Sequence, residues 1–437
     1  MRSLRTLSAW HAIAGSIFAL AVLAGCSKDV SSPLVKDPGP SRTIDVAFCT
    51  GREPQWVAFQ DGDALWVQAQ PVVSGQHTIF RHTFTFDHAA VATARAFGTG
   101  LTTLNIEYGA PEELTIAADT NPLHCGPPIS KTILGTIAGL DTNEVATISA
   151  SEFARAFVVP DAQRSFVLSG LADGPQDILA ARNTRLNNVE VLTKLILRRT
   201  PQLADSATIP VFDFNSTEAF APVVGNVTVL GQGVEGVITH TTLLTANSRS
   251  IISFRSTNAT AASRGYDAVP EGKLSASDLQ ILTAAAAPSS SATDAVRTAS
   301  VYFRTPTDQT LTFGAPLIAP AVSTITTTPT LRLRAMFAAQ SDYDRYTLIT
   351  YQEGANTIVT VGMTATYAGI TGRGYELSIP ELSAVSGFQP AWALHAGADL
   401  MWNVSRTGGT LGIGSNATPA SGATERNAVS LFTLMTP

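Results

Sequence analysis

The sequence is poor in lysine. Among 437 residues there are five: Lys28, Lys36, Lys131, Lys194 and Lys273. No basic patch is visible, which argues against nucleic acid as a partner, and polybasic attraction to anionic lipid is not the expected means of membrane attachment. Charged residues make up only 14% of the chain, with a formal charge of −6. Cysteine is scarcer still, at Cys26, Cys49 and Cys125. Three cysteines with no histidine cluster at ligand spacing do not make a zinc site. The apolar run Ala12–Ala24 is too short to span a bilayer, which needs about 20 residues. Short catalytic motifs are missing as well: there is no Gly-x-Ser-x-Gly, Ser-x-x-Lys, His-Glu-x-x-His or P-loop. Gly409, Gly412 and Gly414 lack the spacing and βαβ context of a dinucleotide fingerprint and read as a turn.

What is present begins at the amino terminus. Arg2 and Arg5 precede the short apolar core, the layout of a removable signal peptide. The core ends Leu23-Ala24-Gly25-Cys26. This resembles the lipobox of bacterial lipoproteins: Leu, two small residues, then Cys. The resemblance implies that Cys26 is lipidated and becomes the first mature residue, the acyl chains (palmitate among them) anchoring the protein stably. Ser27, where Asp favours inner-membrane retention in that family, implies the outer membrane. Without Arg2 and Arg5 the charge moves from −6 to about −8. Removing Cys26 leaves Cys49 and Cys125 as a pair in a compartment that permits disulfides. Closing that loop would stabilise the fold by about 4.5 kcal/mol in the chain-entropy model.

Ala, Thr, Ser and Val dominate the remainder, a composition suited to half-buried strands. The expected class is all-β: tandem β-sandwiches, immunoglobulin-like or transthyretin-like. Residues 26–42, rich in Pro and Gly, read as a flexible tether. Residues 43–128 read as a disulfide-clipped sandwich. In it Trp56–Gln60 and Ala64–Gln68 flank Asp61-Gly62-Asp63, and a three-residue loop pairs Phe59 with Leu65 and Val57 with Val67. Trp56 and Trp66 then share the other face. Further strands are expected at Ile79–Asp87 and Thr102–Glu107. Residues 131–214 contain Phe166-Val167-Leu168-Ser169-Gly170-Leu171-Ala172-Asp173-Gly174. This resembles the carboxypeptidase-regulatory-like (transthyretin-like) domain, apart from Gln176 where that family has Tyr, and implies a structural or ligand-binding module. Residues 217–437 form a large β-rich region of one sandwich or two. Thr357–Thr366 alternates at period two, Ser256–Lys273 reads as the main long loop, and Ser275–Ala287 is the one expected helix, with Ser275 and Asp278 at capping-box spacing.

Candidate chemistry is thin. His82 and His88 lie on one strand face but about 20 Å apart, too far to share a metal. Asp61 with Asp63, and Asp342 with Asp344, offer too few oxygens for calcium and read as turn chemistry. The tryptophans Trp56, Trp66, Trp392 and Trp402 read as packing rather than as a sugar platform. No catalytic residue, metal ligand or cofactor is assigned. The function expected is that of a non-catalytic, lipid-anchored envelope lipoprotein with a binding or structural role. Its partners are the membrane through the anchor, and an envelope glycan or protein. The alternative is a secreted glycan-active or other hydrolase whose carboxylates are dispersed in sequence and meet in a cleft.

Overall fold

A computed structural model describes residues 41–437 except positions 76, 119–130, 152–153, 161–163, 172–173, 187–188, 201, 234, 258–262, 288–295, 373, 413–418, 431–432 and 436. The expected signal peptide with Cys26, nearly all of the expected tether, Cys125, Ala172, Asp173 and Gly414 therefore lie outside the described residues. Residues 38–437 form one compact unit.

The fold is mostly β. Its spine is a 13-stranded sheet. From one edge the strands run Arg249–Thr257, Gly236–Leu244, Leu279–Ala287, Val296–Phe303, Thr424–Val429, Leu400–Gly409, Tyr346–Glu353, Thr357–Thr364, Thr102–Gly109, Ala89–Ala96, Trp56–Asp61 and Val67–Gln68. Thr433–Met435 pairs with Leu400–Gly409 off this path. One parallel pairing joins the first part of the chain to the last: Thr102–Gly109 against Thr357–Thr364. The strands of residues 56–109 and of 236–435 thus share a sheet, which the expected boundary near residue 128 does not mark. Residues 131–213 keep two sheets of their own, and these face each other across a core that includes Ile133, Ile148, Phe166, Ile178 and Phe212.

Smaller sheets cover stretches of the spine. Ala321–Thr326, Arg332–Phe337 and Tyr375–Ser378 pack over its centre. The enclosed core includes Trp56, Leu104, Ile106, Tyr351, Val361, Trp392 and Trp402. Val223–Leu230, Ser263–Ala268 and Gln309–Thr312 cover the strands nearer the far edge, burying Tyr266, Leu282 and Phe303. Arg42–Cys49, His77–Phe84 and Pro71–Ser74 cover the opposite face near Trp56–Asp61, burying Val46, Phe59, Phe80 and Val91. Alternation explains how one strand serves two cores: Trp56 and Ala58 point to one face, Val57 and Phe59 to the other.

Four expectations are corrected. Ser275–Ala287 is not a helix: Leu279–Ala287 is a central strand, with Leu282, Ala284 and Ala286 fully buried. Asp278 Oδ2 does accept from Ser275 N at 2.7 Å, but it closes a turn into the strand. Burial between neighbouring strands outweighs the helix preference of alanine, worth tenths of a kcal/mol per residue. The first hairpin slips by two residues, pairing Phe59 with Val67 and leaving Leu65 exposed. Trp56–Asp61 runs one residue longer than read, because Asp61 still pairs with Ala89. Within Ser256–Lys273, read as loop, Ser263–Ala268 is a strand.

Candidate functional site

The most chemically unusual pair lies near one end of the central strands. Glu107 stands on Thr102–Gly109, in register with Gly362 on one side and Val91 on the other. It therefore projects from the face opposite the Trp56 core. Tyr346 begins its strand in register with Thr364. Its hydroxyl reaches over Gly362 and donates to Glu107 Oε2 at 2.7 Å. Gly362 is required for this contact: a Cβ there would lie 2.0 Å from Tyr346 Oη and 2.3 Å from Glu107 Oε2.

Burial pushes the Glu107 carboxyl up to about 7, against the opposing pull of the Tyr346 hydrogen bond. Burial, with the neighbouring Glu107 charge, drives the Tyr346 hydroxyl well above its ordinary range. Near neutrality Glu107 is thus divided between its acid and its anion, the condition of a carboxyl suited to proton transfer.

Beside this pair sits Glu113, on the 3-10 turn Pro111–Ala117. Its Oε2 accepts from Ala110 N at 3.0 Å and Thr364 Oγ1 at 2.6 Å, and its Oε1 from Thr366 Oγ1 at 2.7 Å. Thr364 also caps the short helix Ala365–Thr371 by accepting from Tyr367 N at 3.3 Å. A cavity of about 380 Å³ opens here, lined by Glu113, Asp344, Arg345, Ala365 and Thr366. Arg406 fixes the loop that carries Asp344 and Arg345. Its fully buried guanidinium donates to Thr347 Oγ1 at 3.2 Å, Ala338 O at 3.0 Å and Tyr343 O at 3.3 Å. A smaller cavity of about 80 Å³ lies on the other side of the same strands, lined by Tyr108, Met363, Tyr367, Gly374, Glu376 and Ser378.

The face that bears Glu107 continues as an array of short polar side chains. Asn403, Thr350, Thr360, Asn105 and Thr93 stand in register across five neighbouring strands. At about 4.8 Å per strand they span roughly 20 Å. Thr103, Gln352, Ser405 and Thr407 flank them on the same face, and Thr407 Oγ1 donates to Asn427 Oδ1 at 2.7 Å.

The residues singled out in the sequence are largely structural. Asp61 accepts from Thr85 N, Thr85 Oγ1 and Phe86 N, ending the strand His77–Phe84 three residues before the expected Asp87. Asp342 Oδ2 accepts from Ala315 N at 2.8 Å. His82 stacks on Phe59 with ring centroids 5.2 Å apart, and burial lowers its pKa against the pull of Asp61. His88 lies beyond the strand end, its Nδ1 3.0 Å from Asp87 Oδ1. Trp56 is buried against Phe388 and Trp392 and donates to Ser386 O at 2.9 Å; Trp66 packs on the same core. Cys49 is buried at the end of its strand with its sulfur engaged. Among the described residues no three His, Cys, Asp or Glu side chains are grouped to hold a metal ion.

Sequence reading missed Glu107, Tyr346, Gly362 and Glu113. The available signals were a lone acid in the alternating run Leu104-Asn105-Ile106-Glu107-Tyr108, and a glycine interrupting Val359-Thr360-Val361-Gly362-Met363. Neither signal says that the two meet. No protein-family model matches the chain, and no curated protein matches it.

Proposed function

We propose that the protein is a lipid-anchored lipoprotein of the outer membrane that acts by binding, without catalysing a reaction, its partner being an envelope glycan or protein. The anchor is Cys26 within Leu23-Ala24-Gly25-Cys26. Cys49 and Cys125 form the clip of the first region, and residues 131–214 are a transthyretin-like module, in keeping with their two facing sheets. The observation that carries the binding reading is the row Asn403, Thr350, Thr360, Asn105 and Thr93, an ordered set of uncharged donors and acceptors that is half-buried from Asn403 to Asn105 and ends at buried Thr93. The acids nearby serve as structural acceptors: Glu113 already takes three hydrogen bonds.

Two measurements test this reading. A clickable palmitate analogue is expected to label the wild type and not Cys26→Ala; equal labelling removes the anchor. The soluble chain from Ser27 is expected to turn over none of a broad panel of esterase, peptidase and glycan substrates. One observation favours the second reading, a glycan-active hydrolase: Glu107, raised to about 7, would serve as a general acid near the Glu113 cavity. Turnover that survives purification and is lost in Glu107→Gln decides for that reading.

A further inference from the structure

Four large apolar side chains lie within nine residues of sequence and are left in water: Leu65 is 89% exposed, Val67 55%, Val72 58% and Val73 68%. They belong to one edge of the first sandwich. Val67 lies on Val67–Gln68, the two-residue edge strand of the long sheet. Val72 and Val73 lie on Pro71–Ser74, the edge strand of the covering sheet. Register shows how the edge is left open. Val67 pairs with buried Phe59, and Val73 with buried Thr78. Both valines therefore stand on the inward faces of their sheets, yet no described residue covers them. A sandwich edge that exposes inward-facing valines is an interaction surface.

We infer that this edge rests in the interfacial layer of the membrane to which the chain is tethered. The inference rests on the proposed anchor at Cys26. Arg42–Cys49 and Pro71–Ser74 are the two neighbours of His77–Phe84 in one three-stranded sheet. From the register, Ser41 lies roughly 20–25 Å from Val72 at about 4.8 Å per strand and 3.3 Å per residue. Residues 27–41 reach about 50 Å when extended, and average about 20 Å as a flexible chain. The bilayer is thus held at the distance where this edge meets it without strain. A second copy adding strands fits less well: the edge strands have two and four residues, and Pro71 lacks a backbone donor. With so short a ladder, apolar side chains are what the edge offers, and lipid accepts these without backbone pairing. Lysine is absent from this stretch, so contact is by apolar burial rather than charge.

The test separates the edge from the anchor. Palmitate labelling of the full chain reads the anchor alone. For the edge, the chain from Ser27, which contains the whole compact unit 38–437, is held by an amino-terminal hexahistidine tag on phosphatidylethanolamine–phosphatidylglycerol vesicles doped with a nickel-chelating lipid. A photoreactive benzoyl-phenylalanine replaces Leu65, Val73 or, as control, Phe157, which is 75% exposed on a strand of the middle region. Circular dichroism checks that each variant is folded. Lipid adducts at positions 65 and 73 are expected to exceed those at 157 by about tenfold, the population ratio once some 60 Å² of apolar surface leaves water. Equal yields at all three positions overturn the inference. Protein–protein adducts at 65 and 73 overturn it too, in favour of a second copy at this edge.

Discussion

The strand Trp56–Asp61 divides its side chains between two cores, and the two differ in how they are closed. Trp56 and Ala58 enter the central core, whose covering sheet is three strands wide and whose aromatic residues interlock. Trp56, Phe388 and Trp392 have ring centroids 5.3–6.1 Å apart. Val57 and Phe59 enter the smaller core under Arg42–Cys49, His77–Phe84 and Pro71–Ser74, which ends in an uncovered edge. The same backbone and the same alternation thus feed one core closed by packing and one left open. Both covering sheets are three strands wide, so the difference lies at the rim: the smaller core ends at the two-residue strand Val67–Gln68 and the four-residue strand Pro71–Ser74, whose valines stay exposed.

The largest expected effect tests the closed core. Trp56→Ala removes a fully buried ring and the hydrogen bond to Ser386 O, and is expected to destabilise by about 4–5 kcal/mol. Phe59→Ala, on the same strand but in the open core, should cost less, because a site near an uncovered edge collapses more easily. Urea midpoints of the two variants would break the comparison if they coincided. Next, if the proposed clip to Cys125 is present, Cys49→Ser is expected to cost about 4 kcal/mol. That loss should appear as earlier proteolysis within residues 41–118, while the central core keeps its hydrogen-exchange protection. Uniform loss of protection would show that the two cores unfold together.

The third prediction concerns pH. Glu107 has a folded pKa of about 7, above the 4.5 of the free side chain. Between these values the folded protein binds more protons than the unfolded chain, so this group's stabilisation is fully present below about pH 4.5 and is lost as pH rises through 7. The slope integrates to about 3 kcal/mol at most. Glu107→Gln should flatten stability against pH over that window and raise stability at pH 8; an unchanged slope would assign it to other groups. The smallest effect belongs to the open edge. Val73→Ser is expected to change the urea midpoint by less than about 0.5 kcal/mol equivalent, since the side chain is already in water. A larger loss would mean that the edge is covered in the free protein.

Alanine shows why strand content was legible and strand order was not. Ala89–Ala96 and Leu279–Ala287 have few β-branched residues and little alternation, so one was passed over and the other read as a helix. Both are central strands with neighbours on both sides, and Ala89, Ala92, Ala284 and Ala286 are completely buried. Small side chains suit such strands because they allow close covering layers, a requirement that no local window contains. Thr357–Thr364 and Tyr346–Glu353, by contrast, alternate visibly because Ile349, Tyr351, Val359, Val361 and Met363 share one apolar face while Thr350, Gln352 and Thr360 lie on the other. Asp61 and Asp342 read as turn chemistry, but their side chains accept from Thr85, Phe86 and Ala315, 24–27 residues away, which no local window contains.

The sequence by itself determined the mostly-β class, the likeness of residues 23–26 to a lipobox, and the alternation visible in strands such as Thr357–Thr364. These depend on near neighbours: steric preference, side-chain period and short motifs. The tertiary structure alone decided which strands became neighbours. It joined Thr102–Gly109 to Thr357–Thr364 across some 250 residues, and so brought Glu107 under Tyr346, opened Gly362 between them and aligned the polar row. Strand pairing at that separation is set by which faces bury together at lowest free energy, a property of the whole chain that no segment carries alone.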